Sequence, residues 1–402
     1  MNSGNFRKLF PYFENNNEIT YLDNANTSQI LGASLSDYVS YHYDNNYNLG
    51  RGQYKGAETA QSLFDWAKVA ASSFIGGKPE GVIFTSGATS GLNLVAQSVC
   101  QDFYKSDKTK KRVILTTELE HSSALLPWMA FGRNMIEFRF IKLTDDYELT
   151  MENLKTALDE HRPDVLLLSS MTNTTGETRK LKEISEEIKN RELIFIVDHA
   201  QGAAHVEVNM EKLNIDYLVF SLHKMYGPKG VGVLYAKDPK TLSPMTFGGG
   251  MNKYFTKEGK FALEDDEKLL YAGTQNLSSI YASISVFEFF IQNWEEIQKR
   301  KQYLASYAHK LFEKIPNIKV YSKSFSPIVL FNLKNYDAVE ISEALDKKNI
   351  YIRVGNHCAK LTKDLFGLST CRMSLGIYNT EEEIIKTYRA LKEIANETSI
   401  SE

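Results

Sequence analysis

Lys224 has the surroundings that promise the most chemistry. It stands in Ser221-Leu-His-Lys224-Met-Tyr-Gly-Pro-Lys-Gly230, just past the largely apolar run Asp216–Phe220. A lysine beyond a strand end, with Ser221 and His223 beside it, can form a Schiff base while its neighbours hold a phosphate. Desolvation lowers the pKa of such an amine and frees its lone pair. Lysines in Gly/Pro loops are usually just solvated, but the Ser-x-His-Lys grouping after a strand argues against that here. Asp198-His-Ala-Gln201 closes another apolar run, Leu193–Val197. An Asp at a buried strand end needs a cationic partner or several donors. A pyridinium nitrogen is one such partner, and Gln201 could reach a phenolic oxygen on the same ring. From these residues alone, loop capping explains Asp198 equally well.

Other segments add to this set. Thr85-Ser-Gly-Ala-Thr89 joins a strand to a helix. Gly87 permits a tight turn, the amides at the helix start face an anion, and Thr89 adds a hydroxyl. Taken alone, it is also an ordinary strand–helix turn. Cys358 lies in Arg353-Val-Gly-Asn-His-Cys-Ala359, a polar loop after a strand. Arg353 and His357 give it a basic setting, which lowers a thiol's pKa and makes it reactive. A small buried core cysteine is the usual alternative, and the flanking Gly, Asn and His argue against deep burial. His121, in Glu118-Leu-Glu-His-Ser-Ser, follows a strand and could stack on a planar ring. On its own it reads as structural. Cys100 and Cys371 are read as structural. Three cysteines make no disulfide framework, none has CxxC spacing, and no metal site is expected.

The elements that must position these residues alternate between two kinds. Strands are predicted at Val82–Thr85, Val113–Thr116, Phe138–Lys142, Val165–Ser169, Ile194–Asp198 and Leu218–Ser221. Helical patterns lie at Thr89–Phe103, Ala124–Gly132, Thr150–Glu160 and Leu181–Arg191. Continuous apolar strands such as Val165-Leu-Leu-Leu168 suit a sheet covered on both faces. The alternation implies a mainly parallel α/β sheet, whose ligands collect beyond the strands' carboxyl ends. Gly232–Tyr235 follows the Lys224 loop too closely for a crossover helix and is expected to run antiparallel. A helical stretch from Asn276 to Lys314 bridges to a second unit. That unit has strands at Ile318–Tyr321, Ile328–Leu333 and Tyr351–Val354, and a helix at Tyr336–Lys348. A last helix starts on the capping box Thr380-Glu-Glu-Glu383.

The bulk numbers fit a globular enzyme. The 402 residues are 43% hydrophobic and 24% charged, with a formal charge of −3 from 47 basic and 50 acidic residues. That balance argues against nucleic acid as a partner. The basic run around Lys108, Lys110, Lys111 and Arg112 reads as a solvated loop. No apolar run is long enough to span a membrane, and no signal-peptide core follows the N-terminus, so the cytoplasm is the expected compartment.

In order along the chain, these segments resemble the aminotransferase class V family of pyridoxal 5'-phosphate (PLP) enzymes. The match runs from Tyr21-Leu-Asp-Asn-Ala25 to Asn379-Thr-Glu-Glu382, and within the family it resembles the group II, SUF-type cysteine desulfurases. It also includes Asn48-Leu-Gly-Arg51, Gly248-Gly-Gly-Met251, Ala272-Gly-Thr274-Gln-Asn276 and Arg372-Met-Ser-Leu. The resemblance implies fold type I, the aspartate-aminotransferase-like PLP-dependent transferase fold. That means a mainly parallel seven-stranded sheet in a large domain, residues 15–290, and a smaller α+β C-terminal domain, residues 291–402. Residues 1–14 would pack near the smaller domain.

It also implies roles. Lys224 would carry PLP, Asp198 pair with the ring nitrogen, His121 stack on the ring and Gln201 bond the phenolic oxygen. Ala88, Thr89, Ser221 and His223 would hold the phosphate, with Thr274 supplied by the other subunit of a homodimer. Arg372 and Asn173 would bind the substrate, Arg353 order the cysteine loop, and Arg51 lie near the dimer-formed site. L-cysteine would yield L-alanine and a Cys358 persulfide, passed to a SUF-type acceptor for iron–sulfur cluster assembly. The alternative within the fold is a selenocysteine lyase or another class V enzyme performing β-elimination or transamination. The chain departs from the subgroup pattern at Gly50, Ala88, His199, Leu222, Val354 and Asn356.

Overall fold

A computed structural model describes residues 6–50, 52–107, 109–367 and 369–397. Seven strands form the main sheet: β1 (Val82–Thr85), β2 (Arg112–Thr116), β3 (Ile136–Phe140), β4 (Val165–Ser169), β5 (Ile194–Asp198), β6 (Tyr217–Ser221) and β7 (Gly232–Ala236). Their order across the sheet is β1-β7-β6-β5-β4-β2-β3. Only β7 runs antiparallel, against both β1 and β6. A parallel neighbour needs a crossover of a dozen or more residues, and the chain between β6 and β7 offers too few. All residues of β4, β6 and β7 are buried, as a sheet covered on both faces requires. The predicted strand Phe138–Lys142 instead lies at Ile136–Phe140, two residues earlier. β3 is an edge strand with half-exposed residues, so its apolar pattern marks its limits poorly.

The second unit is a four-stranded antiparallel sheet of β8 (Ile318–Val320), β9 (Ile328–Leu333), β10 (Arg353–Gly355) and β11 (Thr370–Ser374), ordered β8-β9-β11-β10. Its core is separate from the main one and is built from residues such as Phe312, Phe331, Ile341, Met373 and Leu391. The predicted strand Tyr351–Val354 is two pieces. Ile350–Tyr351 pairs in parallel with Thr20–Tyr21, and β10 pairs with β11. Leu22 joins the second core while the neighbouring Tyr21 packs against the main one, so this segment bridges the two units. Phe6, Phe10 and Phe13 enter the main core; Phe6 meets Phe289, and Phe10 and Phe13 meet Tyr378, with ring centroids 4.6 Å and 4.8 Å from it.

The helix Leu277–Phe312 runs from one unit to the other and is broken at Asn293, whose φ and ψ are −125° and 15°. Beyond the break it carries Lys301, which is 3% exposed. The Lys301 Nζ donates to the Ala204 carbonyl and lies 5.5 Å from the Tyr226 ring centre. Burial pulls its amine down to about 7. The final helix, Glu381–Glu397, keeps its capping box. The Thr380 N–H donates to Glu383 Oε2 at 3.1 Å, and the Glu383 N–H donates to Thr380 Oγ1 at 3.3 Å. No helix among the described residues is long and apolar enough to cross a membrane.

Candidate active site

The carboxyl ends of β4, β5 and β6 lie side by side, with Ser169 in register with Asp198 and Asp198 with Val219. Beyond them is a cavity of about 220 Å³. Nine residues expected at the site line it: Ala88, Thr89, His121, Asn173, Asp198, Gln201, Ser221, His223 and Lys224. Ligand sites of parallel sheets belong at these strand ends, because the loops diverge there.

One wall is set for an anion. After β1 the chain turns at Gly87, with φ +149°, and starts the helix Ala88–Asp107. A side chain on Gly232 of β7 would put its Cβ 2.6 Å from the Gly87 Cα, so the turn can close only over a glycine. The Ala88 N–H donates to Ser221 Oγ at 2.7 Å. The Ser221 hydroxyl is thereby left with its own proton to donate. Thr89 Oγ1 lies 2.8 Å from Ser123 Oγ. The turn Leu222–Lys224 is held by its own backbone, since the His223 carbonyl accepts from the Ser28 N–H at 2.7 Å.

Burial sets the charge states. It lowers the pKa of the Lys224 amine; the Asp198 carboxylate opposes the shift and Arg372 adds to it. Asp198 is 5% exposed. Its carboxyl pKa is raised by burial, against a hydrogen bond from the Ala200 N–H at 2.9 Å and the charge of Lys224. His121 is pulled down to about 4, first by burial and then by the charges of Lys224, Arg372 and Arg353. Its Nδ1 accepts from the Ser123 N–H at 3.1 Å, so the neutral ring carries its proton on Nε2. His223 is likewise pulled down to about 4.

Three predicted residues sit beside the cavity rather than in its lining. Cys358 is exposed, as its polar neighbours imply. Its carbonyl accepts from both the N–H and the hydroxyl of Ser122, each at 2.7 Å, next to His121. An Arg353 Nη2–H donates to its Sγ at 3.6 Å. Arg372 is 2% exposed and donates to the Asn173 carbonyl at 2.7 Å and to Asp23 Oδ1 at 3.3 Å. Burial lowers it to about 10. Asn173 joins the two groups, since its Nδ2 donates to the His357 carbonyl at 2.7 Å. Thr274 does not line this cavity; it lies on an exposed segment before the long helix. Arg51 lies outside the described residues. Cys100 and Cys371 are buried, and burial pushes each thiol up to about 12.

Sequence reasoning gave no role to Glu120, Asp23 or Ser122. Glu120 is 1% exposed; it accepts from the Ser169 N–H at 2.8 Å and from the Thr117 hydroxyl at 2.7 Å, fixing the loop that carries His121. The burial rule that singled out Asp198 applies to it as well: an acid just past an apolar strand. Asp23 and Ser122 carry no such local signal.

The residues present fit PLP. Ser169 Oγ and Gln201 Oε1, on side chains 6% exposed in the cavity wall, have no protein partner. Buried polar atoms of this kind call for a ligand with complementary heteroatoms. A lysine with a lowered pKa, a buried aspartate opposite it and an anion-ready turn match that cofactor's aldehyde, ring nitrogen and phosphate. Among the described residues, no group of His, Cys, Asp or Glu is arranged to hold a metal. Sheet and site together define a PLP-dependent enzyme of fold type I.

The chain belongs to the class V aminotransferases, whose family model (Aminotransferase class-V) matches residues 20–386. It is 29% identical over 388 residues to a cysteine desulfurase of Wigglesworthia glossinidia brevipalpis, covering 94% of this chain and 93% of that protein. A probable cysteine desulfurase of Staphylococcus aureus is 30% identical over 398 residues, covering 96% and 95%. Among solved structures, the apo cysteine desulfurase from Thermococcus onnurineus NA1 superposes with a TM-score of 0.89 at 26% identity, covering 98% of each chain.

Proposed function

We propose that this chain is a PLP-dependent cysteine desulfurase that converts L-cysteine to L-alanine and keeps the sulfur as a persulfide on Cys358. The observation that carries the reading is the link between the exposed Cys358 and the cofactor pocket, through Ser122 beside His121. An exposed thiol on a loop tied to the segment of His121 supports a role in receiving sulfur from the substrate.

Asp198 would face the ring nitrogen, His121 the ring face and Gln201 the phenolic oxygen. Ala88, Thr89, Ser221 and His223 would hold the phosphate, with Thr274 from a second subunit completing the site in a homodimer. When bound, PLP supplies an electron sink for the substrate's α-carbon. Lys224 would hold the cofactor and, as a neutral amine, would carry the α-proton. Arg372 binds the substrate carboxylate, and Asn173 fixes its orientation; this pair is already joined at 2.7 Å. The Cys358 thiolate, held by Arg353, attacks the substrate sulfur. The new S–S bond forms as the Cβ–S bond breaks, and its electron pair passes to Cβ. Cβ takes a proton and becomes the methyl group of alanine. The persulfide sulfur then goes to the thiol of a SUF-type acceptor protein, in the cytoplasm, for iron–sulfur cluster assembly.

Mass spectrometry after L-cysteine treatment tests this directly. One extra sulfur is expected on the Cys358 peptide. Cys358→Ala is expected to retain the cofactor while losing alanine and sulfide release from cysteine. Wild-type activity in that variant would eliminate the persulfide route.

A further inference from the structure

Cys358 occupies a backbone conformation that its residue type disfavours. Its φ is +59°, and that of His357 is +52°. Two successive non-glycine residues in the left-handed region persist only where surrounding contacts hold them. Those contacts are on both sides of the loop. Asn356 Oδ1 accepts from the Cys358 N–H at 3.2 Å, and Asn173 holds the His357 carbonyl at 2.7 Å. The His357 ring meets Thr370 Oγ1 at 2.9 Å. That hydroxyl also lies 3.3 Å from the Gly355 carbonyl, to which it can only donate, so His357 Nε2 carries a proton and donates to it. The Cys358 carbonyl is held from across the site by the two donors of Ser122. Ser122 follows His121 in the chain and is the first residue of the helix Ser122–Gly132. Any shift of the loop must break the hydroxyl bond, the amide bond or both.

We infer that Ser122 is a positioning residue for the sulfur-receiving thiol: its hydroxyl ties the loop of Cys358 to the cofactor-facing segment at His121. This rests on the desulfurase reading for the reaction it serves, but the tie itself is a property of the folded chain. The hydroxyl contributes to placing Sγ, not to binding L-cysteine, because it is spent on the Cys358 carbonyl. Its loss should therefore reduce turnover and spare substrate binding.

Wild type, Ser122→Ala and Ser122→Thr are to be compared in two assays. Alanine formation is measured across a range of L-cysteine concentrations with the PLP-loaded enzymes. Labelling of Cys358 by iodoacetamide is followed by peptide mass spectrometry, with and without cofactor. In Ser122→Ala, kcat is expected to fall about fivefold, as for one lost hydrogen bond, with KM within about twofold. Labelling should accelerate by about twofold or more as the loop loosens. Ser122→Thr, which keeps the hydroxyl, should restore both. Wild-type kcat and labelling in Ser122→Ala would overturn the inference. So would a raised KM at unchanged kcat, or a threonine variant no better than the alanine one. A wild-type enzyme that forms no alanine, but whose Cys358 labelling still responds to Ser122 as described, would remove the desulfurase reading and leave the tie standing.

Discussion

Lys224 and Cys358 belong to one site, yet the chain holds them by different means. Lys224 follows β6, a strand buried along its whole length, and both the N–H and the hydroxyl of Ser28 donate to the His223 carbonyl of its turn. The groups around it, Asp198, Ser221 and Ser169, end adjacent strands of the same sheet. Cys358 is exposed, on a loop with positive φ at two successive residues, held by one backbone bond from Ser122 and by the side chains of Ser122, Asn173 and Asn356. The contrast follows the work proposed for each. A cofactor and its proton-carrying amine need fixed geometry and low water access, which a buried sheet supplies. A sulfur that must leave on an acceptor needs a carrier that can be reached, and only a loop near the surface offers that.

Three variants test the contrast, beginning with the largest expected effect. Lys224→Ala should lower alanine formation by about 10³-fold or more and abolish the visible absorption of lysine-bound cofactor. Its folding stability should not fall, because a desolvated amine is removed. Activity within about tenfold of wild type would mean that the buried frame does not carry the proton.

Lys301→Met probes the buried frame away from the chemistry. The amine titrates near 10.4 in an unfolded chain and near 7 when folded. Between those values the unfolded chain holds the additional proton, so unfolding free energy rises with pH from about 7 to about 10.4. Below pH 7 both states are protonated, and the burial penalty is present in full. Urea unfolding at several pH values should show Lys301→Met losing this rise and gaining on the order of 1 kcal/mol at pH 7. A slope equal to that of wild type would show that the amine is not desolvated in solution.

Asn356→Ala, on the loop, should have the smallest effect. Unfolding should stay within about 0.5 kcal/mol of wild type. Steady-state kcat should drop by about threefold as the Cys358 N–H loses its acceptor, and Asn356→Asp, which keeps that acceptor, should lose less. If Asn356→Ala were as destabilising as a core substitution, the loop would be part of the frame and the distinction would collapse.

The frame was the more legible of the two regions. β1, β4 and β5 lie at the residues their apolar runs predict, because burial on both faces leaves uninterrupted strands bounded by polar turns. The antiparallel β7 followed from loop length alone. Edges were harder: β3 is displaced by two residues, and β11 was not anticipated, although Cys371 and Arg372 on it had been singled out. β11 is as long and as buried as β4, but Thr370, Arg372 and Ser374 interrupt its apolar residues, and the arginine's charge is met by Asp23, far away in the chain. No local pattern marks such a strand.

By itself, the sequence determined the alternation of strands and helices, the strand ends where Asp198, Ser221 and Lys224 gather, and the polar loop that leaves Cys358 accessible. These are local properties: each depends on hydrophobic period and turn chemistry within a dozen residues or so. Only the tertiary structure decided that Ser122 meets Cys358, 236 positions away, and that Arg372 meets Asn173, 199 positions away. Such contacts arise where two separately built sheets dock. Their partners are fixed by the packing of both units together, which no short stretch of either encodes.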